Sequence, residues 1–140
     1  MSHVVPIQLE IKDLKALETA CKNLGFELIK NQKTYAWFGK WIGDYALADG
    51  MDVNDLGNCD HAIRVPGARY EIGVKRSGKG FKLEYDFWGS GGLEDKVGKD
   101  GLPIKIAYTI EATKNVVKKN RHRLVSQKRM DDRTRLTIRL

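Results

Sequence analysis

A cysteine and a histidine lie two residues apart at Cys59 and His61, immediately before a strand-like run of residues. Side chains at this spacing on an extended chain share a face, so the thiol and the imidazole could meet there. A Cys–His pair oriented by a carboxylate such as Asp86 is one arrangement of a nucleophilic enzyme. No helix N-terminus that would lower the pKa of the thiol is evident beside it. A small enzyme using these three residues is therefore one hypothesis about function.

Metal and cofactor sites are not indicated by the remaining residues. A structural zinc site takes four Cys or His ligands, and the chain has two cysteines and three histidines. Cys21 lies on the apolar side of a predicted helix, where a thiol packs as a small hydrophobic group. The glycine-rich run GSGG at 89–92 lacks the spacing of a phosphate-binding loop. The sequence therefore predicts no metal site and no cofactor.

Positive charge is concentrated at the end of the chain, whose net charge is +7. Residues 114–140 hold ten basic and two acidic side chains, a net charge of +8, whereas residues 1–113 hold 15 basic and 16 acidic side chains, a net charge of −1. Arg135 and Arg139 alternate onto one face of a predicted strand, and a row of arginines can bridge phosphates. This distribution is typical of a surface that binds a polyanion.

The leading hypothesis is a non-catalytic module that binds nucleic acid, a ribonucleoprotein or another polyanion. A basic C-terminal hairpin would supply the charge, and exposed tryptophans would stack on bases. The residues assigned to this surface are Arg121, Arg123, Lys128, Arg129, Arg135, Arg139, Trp88 and Trp41.

An acidic segment offers a different function. Residues 43–60 contain five aspartates and neither Lys nor Arg, and they follow the aromatic run TYAWFGKWI at 34–42. Aromatic anchors are typical of protein–protein interfaces. A protein adaptor that docks its partner through this acidic loop and these aromatics is therefore the alternative binding hypothesis.

Two helices and several strands are predicted to position these residues. Asp13 can cap a helix that ends at Gly25, and Pro103 fits the first turn of a second helix. Apolar residues at alternate positions predict strands. These strands are HVVPIQLEI, FELIK, TYAWFGKWI, HAIRV, RYEIGVKR and FKLEYDFW, and then a closing hairpin of RLVSQKRM and TRLTIRL.

The order of these elements indicates the fold class. Runs of hairpin-connected strands with only two helices favour an α+β fold, in which a largely antiparallel sheet has two helices packed on one face. The opposite face of the sheet is then open for function. The length of 140 residues fits a single domain that spans residues 1–140.

The start of the chain bears on its location. MSHVVPIQLEIKD has no basic region followed by an apolar one, and the longest apolar runs are shorter than the roughly 20 residues of a membrane span. We expect a cytoplasmic protein, or one of the plastid stroma if the chain is organellar, without a membrane partner. Both cysteines are then expected to be thiols.

Several stretches resemble a known family. They are HAIRVPGARYEIGV, LEYDFWGSGGLEDKVG, IAYTIEATKN, the opening MSH, the start IKDLKALETACKNLGFE and the closing DDRTRLTIRL. Together they make nearly the whole chain similar to the hypothetical chloroplast open reading frame 35 family, which occurs in cyanobacteria, plastids, other bacteria and phages. That family is a domain of unknown function without established catalytic residues. The resemblance therefore implies no role for any particular side chain.

Overall fold

The computed structural model describes residues 4–39, 47, 51–88, 91–98, 100–119, 123–130 and 133–139, the last two stretches as backbone. None of the helices in these stretches is long and apolar enough to cross a membrane. The elements in chain order are β1 (Val4–Ile11), α1 (Leu14–Leu24), β2 (Glu27–Lys30), a 3-10 turn (Val53–Asp55), β3 (His61–Arg64), β4 (Glu71–Ser77), β5 (Gly80–Asp86), α2 (Leu93–Val97), α3 (Leu102–Lys119), β6 (Arg123–Met130) and β7 (Arg133–Arg139).

Five strands form one antiparallel sheet in the order β1-β5-β4-β3-β2. The central strand, β4, is joined to β5 by a tight turn in which Gly78 has a φ of 59°. Glycine adopts this left-handed conformation without the steric cost that other residues incur. The predicted α+β fold with a largely antiparallel sheet is confirmed.

The two long helices, α1 and α3, pack together on one face of this sheet. The side chain of Asp13 caps α1 by accepting a hydrogen bond from the Ala16 N–H at 3.0 Å, and Gly25 ends the helix with a φ of 78°. The hydroxyl of Tyr108 on α3 accepts hydrogen bonds from the N–H groups of Lys12 and Asp13. The core includes Ile7, Ile11, Leu17, Ile63, Ile72, Val74, Leu83, Tyr85 and Ile104.

The aromatic run TYAWFGKWI is not a strand in its described part. Thr34 forms an isolated bridge with Asn58, and residues 35–39 follow an irregular path. The strand prediction is wrong here because alternating aromatic residues indicate only that one side of a segment is buried. A segment that packs flat on the face of a sheet also buries one side, without pairing as a strand. Trp41 lies outside the described residues.

This irregular segment covers the second face of the sheet. Tyr35 is 3% exposed, and its ring lies so close to Gly73 of β4 that a Cβ there would overlap it. Glu84 and Asp86 of β5 are 2% and 0% exposed. The expectation that this face is open is therefore wrong over β4 and β5, where it carries buried carboxylates.

The strands β6 and β7 form a separate two-stranded antiparallel sheet, which we call the C-terminal ribbon. It contacts α3 through both strands. The closing hairpin predicted from the sequence is confirmed, and its turn residues Asp131 and Asp132 lie outside the described residues.

Candidate functional site

The register of the C-terminal ribbon determines which basic residues share a face. Residues directly opposite each other on neighbouring strands lie on the same side of a sheet. Two basic pairs are formed in this way, Arg123 with Arg139 and Lys128 with Arg135, and Arg133 is opposite Met130. Along β7, Arg133, Arg135 and Arg139 are separated by even numbers of residues and therefore share that side. This basic face consists of Arg123, Lys128, Arg133, Arg135 and Arg139.

A β-bulge in β6 brings Arg123 to this face. Leu124 is opposite Ile138 and Ser126 is opposite Thr137, so Val125 is an extra residue without a partner in β7. In a regular strand Arg123 would lie on the side opposite Lys128, because the two are five residues apart. The extra residue reverses the alternation. The bulge therefore places Leu124 on the other face and Arg123 on the basic one.

The second face of the ribbon is more apolar. The pairs on it are Leu124 with Ile138, Gln127 with Leu136, and Arg129 with Thr134. Arg129, which the sequence assigned to the binding surface, is thus separated by the register from the other assigned basic residues. Arg121 lies outside the described residues. The ribbon is amphipathic, with five basic residues on one face and three aliphatic residues on the other.

Trp88, assigned as a stacking platform, belongs to a different part of the molecule. It follows β5 in the five-stranded sheet and is half-buried. Its backbone N–H donates a hydrogen bond to Asp86 Oδ1 at 3.0 Å. The structure therefore associates Trp88 with the carboxylates of the sheet, whereas the basic face belongs to the ribbon.

Cys59 lies in a buried position beneath the irregular segment. Its thiol donates a hydrogen bond to the carbonyl oxygen of Gln32 at 3.1 Å, and it packs with Tyr35 and Ala62. Burial raises the pKa of the Cys59 thiol to about 11. A nucleophilic cysteine needs a lowered pKa, so this environment favours a thiol that packs.

His61 lies on the other face of the sheet. It is opposite Val74, on the helix-covered side, and its ring centroid is 5.4 Å from that of Phe81. Its Nδ1 accepts a hydrogen bond from the Asn31 N–H at 2.9 Å, and burial lowers its pKa. Cys59 packs instead with Ala62, the next residue along β3, which alternation places on the opposite face.

Asp86 is separated from both residues. Its two carboxylate oxygens accept hydrogen bonds from the N–H groups of Phe38 and Trp88, each at 3.0 Å. Ala62, which follows Cys59 by three residues, lies in the same cross-strand row as Glu84, with β4 between them. Asp86 lies further along β5. The structure thus does not bring Cys59, His61 and Asp86 together, and a catalytic role for them stays a prediction.

A charged cluster on the covered face was not identified from the sequence. Lys75 Nζ lies 2.5 Å from Asp55 Oδ2 and 3.3 Å from Glu84 Oε1. Glu84 also accepts a hydrogen bond from the hydroxyl of Tyr35. Burial acts to lower the pKa of Lys75, but Asp55 and Glu84 outweigh burial and raise it. Acidic and basic residues recur at alternate positions along β4 and β5. This pattern indicates the cluster only when that face of the sheet is known to be covered.

Each aspartate of the acidic segment that lies in the described part of the structure has a partner within the fold. Asp52 Oδ1 accepts from the Asn54 N–H at 2.9 Å, Asp60 Oδ2 accepts from the Arg76 N–H at 2.7 Å, and Asp55 binds Lys75. These contacts fix loops and strand ends. Docking of a protein partner through this segment stays a prediction.

Metal binding and similarity to known proteins give no further assignment. Within the described ranges, no three His, Cys, Asp or Glu side chains are grouped so that they could hold a metal ion. No protein-family model, curated protein or solved structure matches the chain. Membership of the hypothetical chloroplast open reading frame 35 family stays a prediction.

Proposed function

We propose that this protein binds duplex DNA through the basic face of its C-terminal ribbon. The observation that carries the proposal is the strand register, which gathers Arg123, Lys128, Arg133, Arg135 and Arg139 on one face without an acidic residue. An ordinary surface intersperses both signs of charge. Five cations on one face of a ribbon give the electrostatic footprint that phosphate backbones attract.

The shape of the ribbon supports a duplex as the partner. A strand of eight residues is about 27 Å long, and the major groove of B-form DNA, about 12 Å wide, admits a two-stranded ribbon. Arginine also presents its donors in a planar fork that matches phosphates and the acceptor edge of guanine. The deep, narrow major groove of duplex RNA does not admit such an element.

Composition argues against single-stranded nucleic acid. Single-strand binding relies on aromatic side chains that stack on bases, and residues 120–140 contain no Phe, Tyr or Trp. The ribbon therefore offers charge and hydrogen-bond donors in place of a stacking platform. This favours contacts to a phosphate backbone and to base edges in a groove.

Titration of a labelled duplex at several salt concentrations tests the proposal. Each phosphate contact contributes about −0.9 to the slope of log K against log salt, so five contacts give about −4.5. Replacing the cross-strand pair, Lys128→Gln with Arg135→Gln, should make the slope shallower by about 1.8. The matched control removes two exposed lysines elsewhere, Lys33→Gln with Lys79→Gln, and should leave the slope close to that of the wild type.

Three results would overturn the proposal. Equal effects of the ribbon variant and the control would assign binding to overall net charge. Absence of salt-dependent binding would remove DNA as a partner. Duplex RNA and single-stranded DNA of the same sequence serve as competitors, and each should bind more weakly than duplex DNA. A single strand that competes better than the duplex would contradict groove binding.

A further inference from the structure

A cleft with a volume of about 600 Å³ lies between α1 and α3. Three lysines and two carboxylates line it, together with an asparagine that joins the helices. These residues are Lys15, Lys114, Lys118, Asp13, Glu111 and Asn115. The sum of their formal charges, three positive and two negative, is +1.

Both carboxylates of the cleft are already engaged by neighbouring groups. Asp13 Oδ2 accepts a hydrogen bond from the Asn115 side chain at 2.9 Å and its Oδ1 accepts one from the Ala16 N–H at 3.0 Å. These contacts hold the pKa of Asp13 below its usual range, the bond from Asn115 most of all. The Asp13 carboxylate therefore caps α1, and its negative charge also interacts with Lys15.

Glu111 is compensated by a cation of the cleft. Its carboxylate is 3.7 Å from Lys114 Nζ and accepts a hydrogen bond from the Asn23 side chain at 3.4 Å, and the residue is only 8% exposed. One cation and one acid of the cleft thus compensate each other. Lys15 and Lys118 then remain with Asp13, which leaves the cleft with its net charge of +1.

Lys15 and Lys118 are exposed, and in the part of the chain that the structure describes neither forms an ion pair. They lie on different helices, at the first turn of α1 and the last turn of α3. Two lysines converging on one cleft from separate elements repel each other and gain from an anion placed between them. An anion of the size of a phosphate group meets this condition.

The position of the cleft connects it to the ribbon. Lys118 is in the last turn of α3, the helix that contacts both strands of the ribbon. Residues 120–122 alone separate that helix from β6. The end of α3 that carries Lys118 is therefore the end next to the ribbon.

We propose that the cleft between α1 and α3 is a phosphate subsite, in which Lys15 and Lys118 bind one phosphodiester of the duplex held by the ribbon. This inference rests on the proposed function. The subsite contributes affinity without sequence preference, because phosphate contacts position a protein on DNA and base contacts specify the sequence.

The variant Lys15→Gln with Lys118→Gln tests the subsite in the same salt titration. Loss of two cationic contacts should make the slope shallower by up to about 1.8, equally for duplexes of unrelated sequence. The control is again Lys33→Gln with Lys79→Gln, which removes the same charge from exposed positions outside the cleft. Thermal unfolding of each variant shows whether the fold is retained, as expected for exposed side chains.

The outcomes separate the subsite from the proposed function. A shallower slope for both the ribbon variant and the cleft variant supports both proposals. If the ribbon variant loses salt dependence while the cleft variant behaves as the control does, the ribbon binds DNA and the subsite is wrong. If the wild type shows no salt-dependent binding, the proposed function fails first and the subsite fails with it.

Discussion

Lys75 is the cation in the buried polar layer on the covered face of the sheet. Its side chain is 14% exposed and that of Glu84 is 3% exposed. The charge of Glu84 therefore depends on Lys75 for compensation, and Asp55 also pairs with Lys75. Removing one member of such a pair leaves a buried charge, which costs far more than breaking an exposed pair. The stability of the covered face should therefore respond strongly to single substitutions.

The variant Lys75→Met should lower the free energy of unfolding by about 3 kcal/mol, because Glu84 loses the cation that balances its charge. Urea denaturation measures the change. Lys79→Met, at an exposed position, is the control and should change stability by less than about 0.5 kcal/mol. Adding Glu84→Gln to Lys75→Met should recover part of the loss. A Lys75→Met variant as stable as the wild type would contradict the assigned compensation.

The reactivity of the Cys59 thiol tests how well this side chain is buried. With a pKa of about 11, roughly one thiol in a thousand is ionised at pH 8, compared with about one in four for an unperturbed thiol of pKa 8.5. We expect alkylation to be at least about 100-fold slower than in a short unfolded peptide. Mass mapping of the alkylated protein separates Cys59 from Cys21, and addition of urea should remove the protection of both.

Fast alkylation of Cys59 in the native protein would contradict the burial described for it. Such a result would also support the catalytic hypothesis, which requires a thiol with a low pKa. The two interpretations of Cys59 thus predict opposite changes in its alkylation rate relative to the unfolded peptide. A buried thiol reacts more slowly, and a catalytic thiol reacts faster.

Helices α1 and α3 are joined by the hydrogen bond between Asn115 and Asp13. Asn115→Ala should lower the free energy of unfolding at neutral pH by about 1.5 kcal/mol, since the bond is to a charged acceptor. The pKa of Asp13 is lowered in the folded protein from 3.8. Stability from its charge is therefore present above that value and is lost as the pH falls through the lower folded pKa.

Urea denaturation of the wild type and of Asn115→Ala near pH 7 and near pH 2 measures this dependence. The difference between the two proteins should shrink at the lower pH, because protonation of Asp13 removes the charge that the bond from Asn115 stabilises. Thr113→Ala, on the same helix, serves as the control and should show no comparable pH dependence. A difference that stays constant with pH would mean that the carboxylate charge is not involved.

Sequence patterns predicted most of the elements because those elements are determined locally. The Asp13 cap, the Gly25 terminus and the alternation in β4 and β5 each lie within a few residues of the structure that they specify. The described part of the aromatic run, residues 34–39, was mistaken for a strand because its backbone hydrogen bonds go to scattered, distant groups and not to one neighbouring strand. The Ala36 N–H, for example, donates to Glu71, which is 35 residues away.

The candidate binding surface was also predicted from the sequence only in part. Charge count located the ribbon, and the alternation of β7 placed Arg135 and Arg139 together. The bulge at Val125 could not be read from the sequence, because a bulge depends on how two strands pair and not on the composition of one. The bulge brings Arg123 to the basic face, whereas Arg129 lies on the other face because it is adjacent to Lys128 in β6.

Considered as a whole, the molecule consists of a central sheet with its helices and a ribbon with its own hydrogen-bonded ladder. β4 is paired on both sides, whereas each ribbon strand has one partner in the described structure. Two-stranded hairpins are marginal in water without further packing. Local stability should therefore differ between the two parts.

Amide hydrogen exchange should be at least about tenfold faster in β6 and β7 than in β4, because local opening costs less free energy at the ribbon. Duplex DNA should slow exchange in the ribbon more than in β4. Mass spectrometry of peptides from 71–77 and 123–139 measures both effects, and the sheet serves as the internal control. Equal protection of both parts without DNA would contradict the inferred difference in stability.

The separation of the ribbon's ladder from that of the central sheet has a consequence for how this protein can diversify. Substitutions at sites that share no partners usually have additive effects. Residues on the basic face can therefore be exchanged during evolution, or by an engineer, while the sheet and its helices keep the chain folded. On the proposed function, selection at the ribbon can change which DNA sequences the protein recognises, at little risk to the scaffold that carries it.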